Sequence, residues 1–258
     1  MLTNSSILPT SSAAHRTDDP TPTNTNSVPA SDPGKSPRLV AQIAPDAPPA
    51  SAFLFPSFQY LPNIPTQPAT VEAFLRGFVL PLRLHKHHDK LTRAQQNMLL
   101  RSPEIQRQFP GARKVDEIMV LICGHGGRDE RCGKLGSILR DEFEEKLQGQ
   151  GISLLKGPPV AEPEKFKTEV VGNAPTARVG LISHIGGHKW AGNVIIYIPP
   201  SFCGNSLAGK GIWYGRVSPE HVEGIVAKTV LGGKVIKELF RGGVGQDGET
   251  IMPEASST

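Results

Sequence analysis

The sequence predicts an α/β fold, a mixed central sheet with flanking helices, preceded by a disordered amino-terminal segment. Three observations carry that reading. A short unbroken apolar run at 117–123 is followed by a helical pattern in which Leu135, Ile138, Leu139, Phe143 and Leu147 share one face. Further runs suited to strands recur at 166–171, 178–183, 193–198 and 211–217. The first fifty residues look different: thirteen of the first 37 are Ser or Thr, prolines are frequent, and no apolar periodicity is present to bury.

The elements follow in order from Ser51. Thr70 precedes Val71, Phe74, Leu75 and Phe78, apolar positions of one helical face that stops before Pro81. Thr92 and Gln95 form a capping box ahead of Met98–Leu100. The helix after the 117–123 run ends near Gly149 and Gly151. The last helix has Ser218 as N-cap, Pro219 at its first position, Glu220 in its first turn and Gly232-Gly233 as a stop. The expected organisation is a disordered segment at 1–50, a helical and loop region at 51–114 that packs on the core, a main domain at 115–240 and a flexible tail at 241–258.

Composition narrows the function. With 38% hydrophobic residues the 258-residue chain has enough apolar material for a core, and 27 Gly with 24 Pro make it loop-rich. No apolar run approaches the roughly 18 residues of a membrane span, so none is expected. The net charge of +4 is too small to predict a nucleic-acid partner. Three cysteines cannot build a disulfide framework and suit a reducing compartment. The start lacks the Arg-rich, acid-poor composition of a mitochondrial address and the apolar stretch of a secretory one.

Two segments carry chemistry. Cys123 and Cys132 are separated by eight residues of a Gly-rich loop, and His184 and His188 lie four apart around Gly186 and Gly187. Two thiolates and two imidazoles suit tetrahedral zinc, although zinc knuckles space their cysteines two to four apart. They also suit a [2Fe–2S] cluster with two Cys on one iron and two His on the other, and the longer loop places this reading ahead of zinc. A thiol oxidoreductase using Cys123 or Cys132 without metal is a third reading. Cys203 has no paired partner and reads as structural. The basic tract with His85, His87 and His88 reads as solvated linker. The Gly127–Gly133 spacing is one residue too long for a P-loop, and no G-x-S-x-G or C-x-x-C motif is present.

Cys123-Gly-His-Gly-Gly-Arg-Asp-Glu-Arg-Cys132, Ser183-His184-Ile-Gly-Gly-His188-Lys-Trp-Ala-Gly-Asn-Val-Ile-Ile-Tyr197 and Gly211-Ile-Trp-Tyr-Gly-Arg-Val-Ser-Pro-Glu-His-Val222 together resemble the sucrase/ferredoxin-like family over residues 51–233. The last segment is also similar to the closing strand and helix of thioredoxin-like [2Fe–2S] ferredoxins. The resemblance implies a thioredoxin-like ferredoxin fold in which His184 and His188 replace the second cysteine pair. It implies electron transfer or redox sensing rather than turnover of a substrate of its own, with a reductase or electron acceptor as partner. It also implies an association with mitochondria, the cytoplasm being the alternative. Neutral imidazoles donate less charge than thiolates, so mixed ligation implies a potential above that of an all-Cys cluster and falling as pH rises. Lys189 and Trp190 stand where they would tune or shield such a site, and Arg128 and Arg131 where they would offset its charge or dock an acidic reductase.

Overall fold

A computed structural model describes residues 49–64, 66–127, 129–157, 159, 175–183, 185–246 and 248–253. Its main sheet is built on β4 (Ile118–Cys123), every residue of which is buried. The strand is apolar throughout because both of its faces are covered. The chain then turns into α3 (Glu130–Gly149), runs through β5 (Ser153–Leu154) to β6 (Thr176–Ile182), and continues with β7 (Val194–Ile198) and β8 (Lys210–Tyr214). After β8 come α4 (Pro219–Ile225), prolonged by a wider turn over Val226–Leu231, and the strands β9 (Phe240–Gly245) and β10 (Thr250–Ile251). Among the described residues the sheet has seven strands, ordered β10-β9-β8-β7-β4-β6-β5. β4 runs parallel to β6 and antiparallel to β7, and β7 runs antiparallel to β8. A parallel first pair linked through a helix, an antiparallel second pair and a closing helix make the thioredoxin-like arrangement that the resemblance implied.

The period of two along β4 divides the core. Ile118, Val120 and Ile122 join Leu139, Phe143 and Leu147 of α3 and Val222, Ile225 and Val226 on the helical side. Met119, Leu121 and Cys123 face the other side, with Ile195 and Tyr197. That second face is covered by a three-stranded antiparallel sheet of β1 (Ala50–Leu54), β2 (Gln59–Ile64) and β3 (Arg113–Lys114). Phe55 of the β1–β2 turn stacks on Tyr197 with ring centroids 4.0 Å apart, and Phe58 meets Phe55 edge-on at 5.2 Å. Burying a side chain such as Phe58 contributes about 1.5–3 kcal/mol. Beneath this small sheet, α1 (Pro68–Phe74), continuing as a wider turn to Val79, packs Phe74 and Phe78 on Phe109. The short α2 (Arg93–Met98) carries the expected Thr92–Gln95 capping box. Glu117, just before β4, joins the two sheets by accepting from Arg113 of β3 at 3.1 Å and Arg178 of β6 at 2.9 Å.

Several elements differ from expectation. The region read as helix and loop at 51–114 also contains β1, β2 and β3. Within 240–251, read mostly as a flexible tail, β9 pairs with β8 and β10 pairs with β9. Ile138, assigned to the buried face of α3, is 52% exposed, and Leu139 takes the core position. The strand expected at 166–171 and the segment at 1–48 lie outside the described residues.

Candidate metal centre

Cys123 is the last residue of β4 and Cys132 the third of α3; they are 2% and 3% exposed. Asp129 caps α3 by accepting from the Arg131 N–H at 3.0 Å. Cys132 opens the buried stripe that Gly136, Leu139, Phe143 and Leu147 continue. Two glycines let this first turn lie against the strand end. A Cβ on Gly133 would stand 2.7 Å from Gly126 Cα, and one on Gly136 would stand 2.9 Å from the Cys123 carbonyl oxygen. With no side chain at either position, the two thiols come within hydrogen-bond reach of each other.

Burial, then the neighbouring Cys123, push the Cys132 thiol up to about 11, against the lowering effect of the Gly192 backbone N–H. A metal ion binding here therefore displaces at least one proton from the pair. Ile182 and Ile185 pack in the same buried cluster as the two thiols, and the Asp129 carboxylate is near enough to add to the upward push on Cys132.

The segment carrying the two histidines is placed by topology. It leaves β6 at Ile182, which pairs with Cys123, and returns at Asn193, whose carbonyl accepts the Cys123 N–H at 3.0 Å. The Gly124 N–H donates to Ile182 O at 3.0 Å. Since β6 and β7 flank β4, the connection between them crosses the end of β4 where Cys123 sits. Gly192 closes this connection at φ +86, and a Cβ there would collide with the Val217 carbonyl oxygen. Its own carbonyl accepts the Val217 N–H at 3.1 Å.

His184 lies outside the described residues, as does the side chain of His188, whose backbone opens a short 3-10 turn ending at Trp190. Among the described residues the thiols are thus the donors brought together, and no group of three or more His, Cys, Asp or Glu side chains converges. Arg128 is likewise outside, while Arg131 is paired with Asp129 at 2.8 Å. Cys203 is exposed and free.

The sequence reading did not find Arg241 of β9. Its guanidinium lies against Gly186, donates to Asn193 Oδ1, and sits 4.7 Å from the Trp190 ring centroid. One side chain thereby braces the histidine loop at three points. His125, also passed over as a site residue, has a buried Nδ1 with no hydrogen-bond partner among the described atoms. Paired soft sulfur donors, a backbone N–H on one of them and an unsatisfied imidazole nitrogen two residues from the other fit an iron–sulfur group.

The chain is similar to several known proteins. The chain is 44% identical over 126 residues to "Altered inheritance of mitochondria protein 32" of Debaryomyces hansenii, covering 49% of this chain and 36% of that protein. It is 30% identical over 168 residues to the protein of the same name from Saccharomyces kudriavzevii, covering 64% and 40%. The match thus spans well under half the length of these relatives, whose name links them to mitochondria. Among solved structures, a thioredoxin-like [2Fe-2S] ferredoxin from Aquifex aeolicus aligns with 49% of this chain and 97% of its own, at 21% identity and a TM-score of 0.30. The "Sucrase/ferredoxin-like" family model matches residues 10–242, a stretch that contains both cysteines, both histidines and Arg241. By that match the chain belongs to the sucrase/ferredoxin-like family.

Proposed function

We propose that residues 115–251 form a redox domain that holds a [2Fe–2S] cluster through Cys123, Cys132, His184 and His188, acting in electron transfer or redox sensing linked to mitochondria. The observation that carries this reading is the contact of Cys123 and Cys132 at the end of β4, beneath the connection on which both histidines lie. When bound, such a cluster supplies reversible one-electron chemistry. The chain's own groups do the rest. Cys123 and Cys132 give up protons to become ligands, the Gly192 N–H stabilises the Cys132 sulfur, and the apolar wall of Ile182 and Ile185 keeps water from the site. Arg241 braces the histidine side and adds a positive charge that favours the reduced state.

The test is anaerobic purification with visible absorption and analysis of iron, sulfide and zinc, comparing the wild type with Cys123→Ala, His184→Ala and His188→Ala. The expected result is about two irons and two sulfides per chain, lost or spectrally altered in every variant. One zinc without sulfide would overturn the reading and leave a metal-stapled interaction module.

A further inference from the structure

We propose that the face of the histidine loop around Trp190 is a docking surface for an acidic protein partner, recognised through its carboxylates. Three cations gather on the indole: Arg216 Cζ at 4.5 Å, Arg241 Cζ at 4.7 Å and Lys189 Nζ at 5.4 Å from the ring centroid. What sets them apart is that they converge on one ring with no carboxylate of the described residues among them, whereas the chain's ion-paired cations each meet an acid. Arg113 and Arg178 meet Glu117, Arg131 meets Asp129, Lys134 meets Glu130, Arg140 meets Asp141, and Lys146 and Lys156 meet glutamates of α3. Among the described residues no carboxylate reaches Lys189, Arg216 or Arg241. Three positive charges on one ring repel one another, the more so the less solvent lies between them. The indole face and Asn193 offset part of that repulsion, and among the described residues no carboxylate offsets the rest.

Arg216 gives a second, independent sign. It holds φ +59, a backbone conformation in which Gly or Asn is at ease and a long side chain is not, and its N–H donates to Trp190 O at 3.4 Å. The side chain is exposed and makes no hydrogen bond within the described chain. A guanidinium on an aromatic face keeps its in-plane N–H edge available, and that fork matches a carboxylate. Arginine and tryptophan are also the residues that dominate binding energy at protein interfaces.

The position supplies the purpose. Trp190 stands on the connection that crosses the Cys123 end of β4, and Arg241 contacts Gly186 between the two histidines. A partner seated there is held at the candidate centre. That part rests on the proposed cluster; the charge recognition does not.

The experiment measures binding of a labelled poly-glutamate peptide to the full chain by fluorescence anisotropy at low salt. Arg216→Asn, which tolerates the left-handed backbone, is combined with Lys189→Glu and also tested alone. The double variant is expected to bind about tenfold more weakly. The charge-matched pair Lys90→Glu with Arg93→Asn, in the amino-terminal helical region, is expected to stay within about twofold of wild type. Equal weakening by both pairs, or none by the first, overturns the proposal. So does tighter binding to phosphatidylserine vesicles or to single-stranded DNA with the same dependence on Lys189 and Arg216. In protein that carries the cluster, the double variant is expected to be oxidised more slowly by ferricyanide, an anion, and faster by tris(phenanthroline)cobalt(III), a cation. Colourless protein defeats the cluster reading, and the peptide measurement still decides the surface.

Discussion

The cysteine pair and the connection that carries the two histidines are held by different means. Cys123 and Cys132 belong to a strand and a helix whose cores are already packed, and their approach depends on side chains that are missing at Gly133 and Gly136. The histidine connection carries little core of its own. It is fixed from outside, by Gly192 on Val217 and by Arg241 on Gly186, Trp190 and Asn193. The contrast teaches that two neighbouring segments of one candidate centre can owe their positions to local packing on one side and to a distant strand on the other.

Breaking both sides at once should have the largest effect. Gly192→Ala places a Cβ in the Val217 carbonyl at a positive φ, and the same residue's N–H serves Cys132. We expect a loss of about 2–4 kcal/mol in urea unfolding, together with most of the bound metal. Glu117→Gln lies away from both sides and serves as the contrast. It leaves Arg178 and Arg113 facing a neutral amide, and we expect a loss of about 2 kcal/mol with metal per folded chain unchanged. Burial pushes the Glu117 carboxyl up, but hydrogen bonds from Arg113 and Arg178 overcome this and hold it below the ordinary value of 4.5. Its stabilisation is therefore present above that pH and lost as pH falls through the lowered value. Acid titration of stability should show this loss in the wild type and not in Glu117→Gln.

Gly136→Ala touches the cysteine side alone. A methyl 2.9 Å from the Cys123 carbonyl forces α3 outward, with an expected cost of about 1–2 kcal/mol. It should also slow oxidant-driven disulfide formation between Cys123 and Cys132, followed by thiol titration. Arg241→Met touches the histidine side alone and should give the smallest change in stability, about 1 kcal/mol. Its mark is local: severalfold faster proteolysis within 183–193, with the cysteine pair undisturbed. Equal loosening of both sides in this variant would erase the distinction between them.

What could be read from the sequence follows the same division. The apolar run of β4, the Thr92–Gln95 box, the Ser218–Pro219 start and the Gly232-Gly233 stop are local patterns, and each stands where it was expected. So is the loop that brings Cys132 to Cys123, although the reason, the bare surfaces of Gly133 and Gly136, shows only once α3 lies against the strand end. β9 reads as Phe-Arg-Gly-Gly-Val-Gly, a composition that signals a tail, and it becomes a strand because β8 offers it an edge. Arg241 was hidden for that reason. β1 and β2 were missed because what covers them is not local: Leu54, Leu61 and Ile64 pack on Phe74, Phe78 and Phe109, and the turn between the strands stacks Phe55 on Tyr197. Trp190, read as a shield or tuning residue, is a platform for two arginines.

The connection between β6 and β7 begins and ends beside Cys123, so it exists as a closed arch only after β7 has paired with β4. A nascent chain halted before Val194 offers two thiols and no arch. Any group that needs both sides therefore enters only after that pairing, and its presence certifies that β7 has joined the sheet.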